Sequence, residues 1–168
     1  MIFWIASYPK SGNTWLRLLI ANYLWPNNSN QFESLKFIET FPKKKFFDGL
    51  VDENIIKNDG FEIFKHFVTA QDKINLNNEF NILKTHNAAA SIKNNPFTNP
   101  NNSCGAVYIV RDPRSVAVSH SYHHKYNFEK STSNILNDRT VAFNDKLYME
   151  ARLSWKVNYI SWKKINIP

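Results

Sequence analysis

The chain has 168 residues, a length that suits one domain with a substantial core. Hydrophobic residues make up 43% of the chain and aromatic residues 15%, which is typical of a folded globular protein. The formal net charge of +7 favours an anionic ligand or partner without choosing one, and the single cysteine, Cys104, excludes an internal disulfide framework and a cysteine-based zinc site.

The start of the chain and its apolar runs bear on location. Met1 and Ile2 lead straight into an apolar run, without the basic region and small-residue cleavage site of a signal peptide. No apolar run approaches the roughly 20 residues that a membrane-spanning helix requires. Because a single cysteine also fits a reducing compartment, we expect a cytoplasmic protein without a membrane span.

The first predicted elements are a strand and a helix joined by a tight turn. Residues 3–6 predict a short buried strand, and the amphipathic run 15–25 predicts a helix that Asn13 or Thr14 can cap. Unpaired N–H groups and the helix dipole favour an anion at the start of such a helix, where Lys10 adds a cation. We therefore expect a phosphate site at this turn.

The spacing within the turn separates two kinds of phosphate loop. A nucleotide-triphosphatase loop needs a glycine, four residues and then Gly-Lys-Ser/Thr, whereas here Gly12 is the nearest glycine and Lys10 precedes it. An ATPase or a GTPase is therefore disfavoured. An ordinary strand-to-helix turn with a surface lysine stays open from this stretch alone.

The middle of the chain carries no chemical motif. Residues 31–40 predict a short helix, and residues 51–74 predict one or two helices broken near Asp59 and Gly60. Between them, residues 41–47 place three lysines among aromatic residues. A solvated loop whose rings dock on the core is favoured there over a nucleic-acid patch.

Two more strands and a helix are predicted in the second half. Residues 80–85 form the second convincing strand, and the apolar run 106–110 is of the kind found in a parallel sheet buried on both faces. Asp112 can then cap a helix over residues 114–126 whose first position Pro113 can occupy.

The other segments complete the predicted topology. Residues 88–91 could turn helical, residues 93–103 read as a surface loop, and residues 128–143 as an irregular or short helical connection. Residues 145–164 predict a strong helix. Arg17 lies off the apolar stripe of the first helix, so we expect it to be solvated.

Strands that alternate with helices predict an α/β protein with a mostly parallel sheet. In such sheets, ligands bind at the carboxyl ends of the strands. Residues 10–14, residues 84–86 and Arg111 all follow predicted strands. We therefore expect these three stretches to meet in one site.

The turn after the first strand, Tyr8-Pro9-Lys10-Ser11-Gly12-Asn13-Thr14-Trp15, resembles the 5′-phosphosulfate loop of the sulfotransferase family, usually YPKSGTTW. Asn13 is its one departure. Lys84-Thr85-His86 resembles the KTH segment of that family. Residues 108–119 resemble its 3′-phosphate segment, in which Arg111 and Ser119 match the phosphate-binding pair and Asp112 and Ser115 depart from the common residues.

The resemblance implies a P-loop-like three-layer α/β fold with a mostly parallel central sheet flanked by helices. It implies transfer of a sulfuryl group from 3′-phosphoadenosine 5′-phosphosulfate, as co-substrate, to an acceptor hydroxyl or amine by in-line attack, with no metal. His86 would be the general base, a task that suits imidazole because it titrates near working pH. Lys10 would stabilise the departing phosphate, Lys84 the sulfuryl oxygens, and Trp15 would stack on the adenine.

The three segments occur in the order of the family across most of the chain. The resemblance implies one partial domain over residues 1–168, truncated at the C-terminus, because the late Arg-Lys-Gly loop of the family is missing. It implies a small-molecule or carbohydrate acceptor and no nucleic-acid partner. The acceptor and the oligomeric state do not follow from the sequence.

Two other functions stay open. One is a non-catalytic module that binds the nucleotide without turnover. The other, which is less favoured, is a basic nucleic-acid-binding domain, and no recognised sequence motif supports it. His120, His123 and His124 suggest a metal site. That hypothesis is disfavoured because no HExxH pattern and no acidic or cysteine partner stands at suitable spacing, so we expect packing or acceptor contact instead.

Overall fold

A parallel sheet of four strands forms the centre of the computed structural model, which describes residues 1–26, 32–138, 140–141 and 147–167. The strands of the molecule in chain order are Ile2–Ser7 (β1), Glu39–Thr40 (β2), Asn81–Thr85 (β3), Ser91–Ile92 (β4), Asn95–Pro96 (β5), Ser103–Ile109 (β6), Thr140–Val141 (β7) and Glu150–Ala151 (β8). The central sheet has the order β2-β3-β1-β6, and β4-β5 and β7-β8 form short antiparallel pairs.

Helices flank this sheet. The α-helices are Asn13–Leu24 (α1), Glu53–Asn58 (α2), Phe67–Asn75 (α3), Pro113–His124 (α4), Phe128–Leu136 (α5) and Trp155–Lys164 (α6). Short 3-10 helices span Glu33–Phe37, Lys44–Phe47 and Gly60–His66. The predicted α/β class with a parallel sheet is therefore confirmed. No helix in the described part of the chain is long and apolar enough to cross a membrane.

Successive side chains of β1 enter two different cores, because alternate residues of a strand face opposite sides of the sheet. Trp4 is fully buried among aromatic rings that include Phe67 of α3 and Trp162 of α6. Ile5 points the other way and packs with Ala21 of α1. Each fully buried large side chain stabilises the fold by about 1.5–3 kcal/mol, so both layers are anchored to β1.

Most regular elements follow the sequence prediction. The strands expected over residues 3–6 and 80–85 and the helices expected over residues 15–25 and 114–126 are present as β1, β3, α1 and α4. The cap of α4 is also confirmed, because the carboxylate of Asp112 accepts a hydrogen bond of 2.8 Å from the N–H of Arg114.

The lysine-rich segment between β2 and α2 packs as predicted, with its aromatic rings on the core and its lysines outside. Phe41 and Phe47 are fully buried in the main core. Lys43 and Lys45 lie outside it and pair with the carboxylate of Glu39 at 2.6 and 2.5 Å. This segment is therefore a loop whose rings dock on the core.

The burial predicted for residues 106–110 is wrong. β6 pairs only with β1 among the described strands and forms an edge of the sheet. Val107 is 40% exposed and Val110 is 56% exposed. An apolar run indicates a strand, but whether both faces are covered depends on neighbours that the run does not encode.

The long helix predicted over residues 145–164 is also wrong in its first half. Glu150–Ala151 pair with β7, and Leu153 has a left-handed φ of 56°, so α6 begins only at Trp155. The hydroxyl of Ser154 caps α6 by accepting from the N–H of Val157. Residues 145 and 146 lie outside the described residues.

Three smaller predictions need correction. Residues 88–91 are not helical, and Ser91 begins the short strand β4. The loop 93–103 is not wholly at the surface, because Phe97 is 3% exposed within the aromatic core. Residues 32–40 hold a 3-10 helix and β2 rather than one helix, and residue 31 lies outside the described part. In the predicted connection 128–143, residues 128–136 form α5, and residues 139, 142 and 143 lie outside the described part.

Arg17 is not solvated, contrary to expectation. Its Nη2 donates to the carbonyl oxygens of Leu35 and Ile38, at 3.1 and 2.6 Å. Burial lowers the pKa of Arg17 below its usual value. The guanidinium therefore ties α1 to the segment that leads into β2, a contact between distant residues that the helical stripe could not indicate.

Candidate active site

The carboxyl ends of β1, β3 and β6 open into a cleft of about 590 Å³. Nine of the ten residues assigned to a site from the sequence line it: Lys10, Gly12, Asn13, Thr14, Trp15, Lys84, His86, Arg111 and Ser119. The tenth, Ser11, is 6% exposed, and its hydroxyl is buried without a hydrogen-bond partner among the described residues. The three stretches therefore meet, as expected for the edge of a parallel sheet.

The turn between β1 and α1 presents a helix N-terminus to the cleft. Lys10 and Gly12 both have left-handed backbone, with φ of 67° and 103°. Glycine adopts this conformation without the strain that a Cβ brings, which explains Gly12 at the N-cap. α1 begins at Asn13 with no side-chain cap, so the expected cap by Asn13 or Thr14 is wrong and the N–H groups of the first turn stay available to an anion.

The side chain of Asn13 fastens this turn to β1. Its Nδ2 donates to the carbonyl oxygen of Ile5 at 3.2 Å and to the hydroxyl of Ser7 at 3.1 Å. Asn13 is 6% exposed. Its amide donors are therefore used inside the protein, and the turn offers a ligand its backbone N–H groups and the side chains of Lys10 and Thr14.

Arg111 connects the ends of β1 and β6. Its Nη1 donates to the carbonyl oxygen of Lys10 at 3.0 Å. No other hydrogen bond of Arg111 is made within the described residues, so the rest of the guanidinium is free for a ligand. Ser119 lines the cleft from α4, which places a hydroxyl and a guanidinium from one strand-helix unit on the same side.

His86 is held in one tautomer by the protein. Its Nδ1 lies 2.8 Å from the carbonyl oxygen of Ser7, and since a carbonyl only accepts, Nδ1 carries the proton. Burial, followed by the charges of Lys84 and Arg152, holds the pKa of His86 well below its usual value. The ring is therefore neutral at neutral pH, with a lone pair on Nε2, which is the form a general base needs.

Lys84 lies two residues before His86 and lines the same cleft, with the buried Thr85 between them. This alternation is the one predicted for a strand end. Burial lowers the pKa of Lys84 to about 8, and the carboxylate of Glu150 opposes that decrease. Lys84 is thus a poorly solvated cation next to a base.

The sequence analysis missed Arg152, which lines the cleft close to the end of β8. Its Nε and Nη2 donate to Oε2 of Glu150 at 2.9 and 2.7 Å. The helix wrongly predicted over residues 145–164 did not indicate that Arg152 would lie at the cleft. Only the pairing of β8 and the turn at Leu153 bring it to the site.

Two of the three clustered histidines also line the cleft, namely His123 and His124. His124 stacks on Tyr126 with ring centroids 5.4 Å apart, and burial lowers its pKa. Nδ1 of His120 instead lies 2.8 Å from the hydroxyl of Ser131. Within the described ranges, no group of three or more His, Cys, Asp or Glu residues is placed so that it could hold a metal ion. That the protein needs no metal stays a prediction.

The cleft as a whole suits a polyanion. Four of its lining side chains are the cations Lys10, Lys84, Arg111 and Arg152, and no carboxylate is among the described lining residues. Fixed cations in a partly dry cleft bind anions more strongly than solvated ones do. A neutral imidazole stands among them, so proton abstraction next to a bound anion is the chemistry that the arrangement supports.

The family model described as sulfotransferase domain matches residues 2–164. No curated protein matches the chain with significant sequence similarity.

Proposed function

The chain belongs to the sulfotransferase family, and we propose that it transfers a sulfuryl group from 3′-phosphoadenosine 5′-phosphosulfate to an acceptor hydroxyl or amine. The observation that carries this proposal is the meeting of His86, held neutral with Nε2 unprotonated, and the cations of one cleft. Sulfuryl transfer needs both, since the acceptor loses a proton while charge develops on the departing phosphate.

The donor is bound through its two phosphate ends. The 5′ end lies against the first turn of α1, where uncapped N–H groups and Lys10 receive the anion. Arg111 and Ser119 bind the 3′-phosphate, for which a guanidinium offers paired donors. Trp15 is 67% exposed on the cleft wall and provides an apolar face for the adenine.

The transfer proceeds in one step. The acceptor oxygen or nitrogen forms a bond to sulfur while the bond between sulfur and the bridging phosphate oxygen breaks. Nε2 of His86 takes the proton of the acceptor, and Lys10 stabilises the negative charge left on the departing oxygen. Lys84 neutralises the sulfuryl oxygens. The products are the sulfated acceptor and adenosine 3′,5′-bisphosphate, and the imidazolium returns its proton to solvent.

Donor binding is tested by calorimetric titration of the chain with adenosine 3′,5′-bisphosphate and with adenosine 5′-monophosphate. We expect one bisphosphate to bind per chain and the monophosphate to bind at least about tenfold more weakly, because it lacks the group that Arg111 and Ser119 contact. Equal affinities, or no binding of either nucleotide, would contradict the donor site. Bisphosphate binding without transfer to any acceptor would instead favour the non-catalytic module.

A further inference from the structure

Arg152 is a cation of the cleft that has no role in the sulfuryl transfer proposed above. The donor ends are bound by Lys10 and Arg111, and Lys84 addresses the sulfuryl group. Arg152 lines the same cleft, and its side chain is 24% exposed. A fixed and largely desolvated guanidinium at such a place is suited to a second anionic group.

A buried carboxylate fixes the direction of Arg152. Glu150 is 3% exposed, and its Oε2 accepts from both Nε and Nη2 of Arg152. These contacts use one edge of the guanidinium. Nη1 makes no hydrogen bond with the described residues, so the edge formed by Nη1 and Nη2 keeps donors for a ligand. Oε1 of Glu150 has no hydrogen-bond partner in those residues, so the hydrogen bonds that this carboxylate accepts there all come from Arg152.

The backbone of Arg152 is joined to that of the base. Nδ2 of Asn158, a fully buried residue of α6, donates to the carbonyl oxygens of His86 and Arg152 at 3.0 and 2.7 Å. Its Oδ1 accepts from the hydroxyl of Tyr108 at 2.9 Å, so the polar atoms of this brace are satisfied. One nitrogen thus holds the backbones of His86 and Arg152 close together, on the side of the cleft where the proposed base lies.

The charge of Arg152 also reaches the base, because it is among the causes that lower the pKa of His86. The acceptor hydroxyl must come within hydrogen-bond distance of His86 to lose its proton. A group attached near that hydroxyl therefore lies close to Arg152. No acidic side chain among the described lining residues would repel an anion there.

We propose that Arg152 binds an anionic group of the acceptor, so that the protein selects hydroxyl or amine compounds that already carry a carboxylate or similar oxyanion near the reacting atom. This inference rests on the proposed function and names its substrate class. Glu150 is the residue that positions Arg152. A planar carboxylate matches the free guanidinium edge best, because both of its oxygens can accept.

The test measures acceptor binding by calorimetry with adenosine 3′,5′-bisphosphate at saturation, so that the phosphate sites are filled. Two matched pairs serve as probes: 4-hydroxyphenylacetate with 4-hydroxyphenylacetamide, and glucuronate with glucose. In at least one pair we expect the anionic member to bind at least about tenfold more tightly than the neutral one. Arg152→Gln removes this preference by weakening the binding of the anionic member, whereas Arg152→Lys restores it only in part.

Two variants control for folding and charge. Arg152→Gln leaves Glu150 buried without its partner, so the double variant Glu150→Gln with Arg152→Gln removes both charges and should fold without that cost. Lys65→Gln removes an equal charge from an exposed ion pair with Glu62 and should keep the preference. The unfolding midpoint of each variant is measured alongside.

Equal binding of the two members in both pairs, no binding of any probe, or a preference that survives in the double variant would overturn the role of Arg152. The titration with adenosine 3′,5′-bisphosphate alone is a separate test of the proposed function. If the wild type fails to bind this nucleotide, the proposed donor site is refuted, and the acceptor preference is then measured without nucleotide. Binding of the bisphosphate with no acceptor preference refutes only the inference about Arg152.

Discussion

His86 and Lys84 stand side by side in opposite protonation states at neutral pH. The contact with the Ser7 carbonyl and the burial of the ring keep His86 neutral, whereas Lys84 keeps its proton up to a pKa of about 8. The base and the cation needed for sulfuryl transfer therefore coexist only in a window of pH. Below it the imidazole is protonated, and above it the ammonium is lost.

This window predicts the pH dependence of kcat/KM, which reports the groups of the free enzyme. We expect the rate to fall as pH rises through about 8, because Lys84 loses its charge there. The acidic limb should lie below the usual histidine range, in keeping with the lowered pKa of His86. Lys84→Arg, whose side chain stays protonated, should lose the alkaline limb even if its rate is lower. A wild-type rate that stays constant to pH 10 would contradict the role of Lys84.

The same pKa predicts how Lys84 affects stability. Its pKa is lowered on folding, so the unfolded chain binds more protons between pH 8 and 10.5, and the free energy of unfolding rises with pH in that range. Lys84→Met should stabilise the protein at pH 7 by up to roughly 3 kcal/mol and remove this rise. Urea unfolding at several pH values measures both effects. An unchanged pH dependence in the variant would show that burial does not perturb Lys84.

At the scale of elements, Arg111 joins two strand ends as well as facing the ligand. Its hydrogen bond to the Lys10 carbonyl spans β1 and β6 and holds the turn in which Lys10 has left-handed backbone. A residue that only bound the 3′-phosphate would have no need of this contact. We therefore expect Arg111 to contribute to the position of Lys10.

A donor without the 3′-phosphate separates these two roles of Arg111. With adenosine 5′-phosphosulfate as donor, Arg111→Lys should still lower kcat by about tenfold, since a hydrogen bond from a charged group is worth about 1.5–3 kcal/mol. Ser119→Ala is the matched control and should lower activity only with the complete donor. Equal activity of wild type and Arg111→Lys with adenosine 5′-phosphosulfate would limit Arg111 to phosphate binding.

The elements that carry the donor contacts could be predicted because their signals are local. The apolar run of β1, the cap at Asp112 and the period of α1 are each encoded within a short stretch of sequence. The start of α6 could not be predicted, since it depends on the pairing of β8 and on the turn at Leu153. Arg152 was missed for the same reason.

At the scale of the whole molecule, the sheet turns three distant stretches of sequence into one site. The rule that ligands bind at the carboxyl ends of parallel strands was sufficient to predict that they meet. The acceptor side could not be predicted, because Asn158, Glu150 and Arg152 act together only through contacts between distant elements. That residues 1–168 form one domain stays a prediction.

The positive charge of the molecule allows a test against nucleic-acid binding. The formal charge is +7, and cations are concentrated in a cleft of limited size. We expect adenosine 3′,5′-bisphosphate to bind at an ionic strength of about 0.15 M and an oligonucleotide without a terminal 3′-phosphate not to displace it. Fluorescence competition measures this. Displacement by the oligonucleotide with a steep salt dependence would favour a nucleic-acid-binding domain instead.

The central claim is that His86 accepts the acceptor proton during sulfuryl transfer. The most direct test incubates the chain with radiolabelled 3′-phosphoadenosine 5′-phosphosulfate and each of the four hydroxyl compounds used as acceptor probes above, and compares the wild type with His86→Ala. The affinity for adenosine 3′,5′-bisphosphate is measured in parallel. We expect labelled acceptor with the wild type, a loss of about 10²-fold or more in His86→Ala, and nucleotide affinity within about twofold of wild type. Transfer by His86→Ala at the wild-type rate would contradict the account.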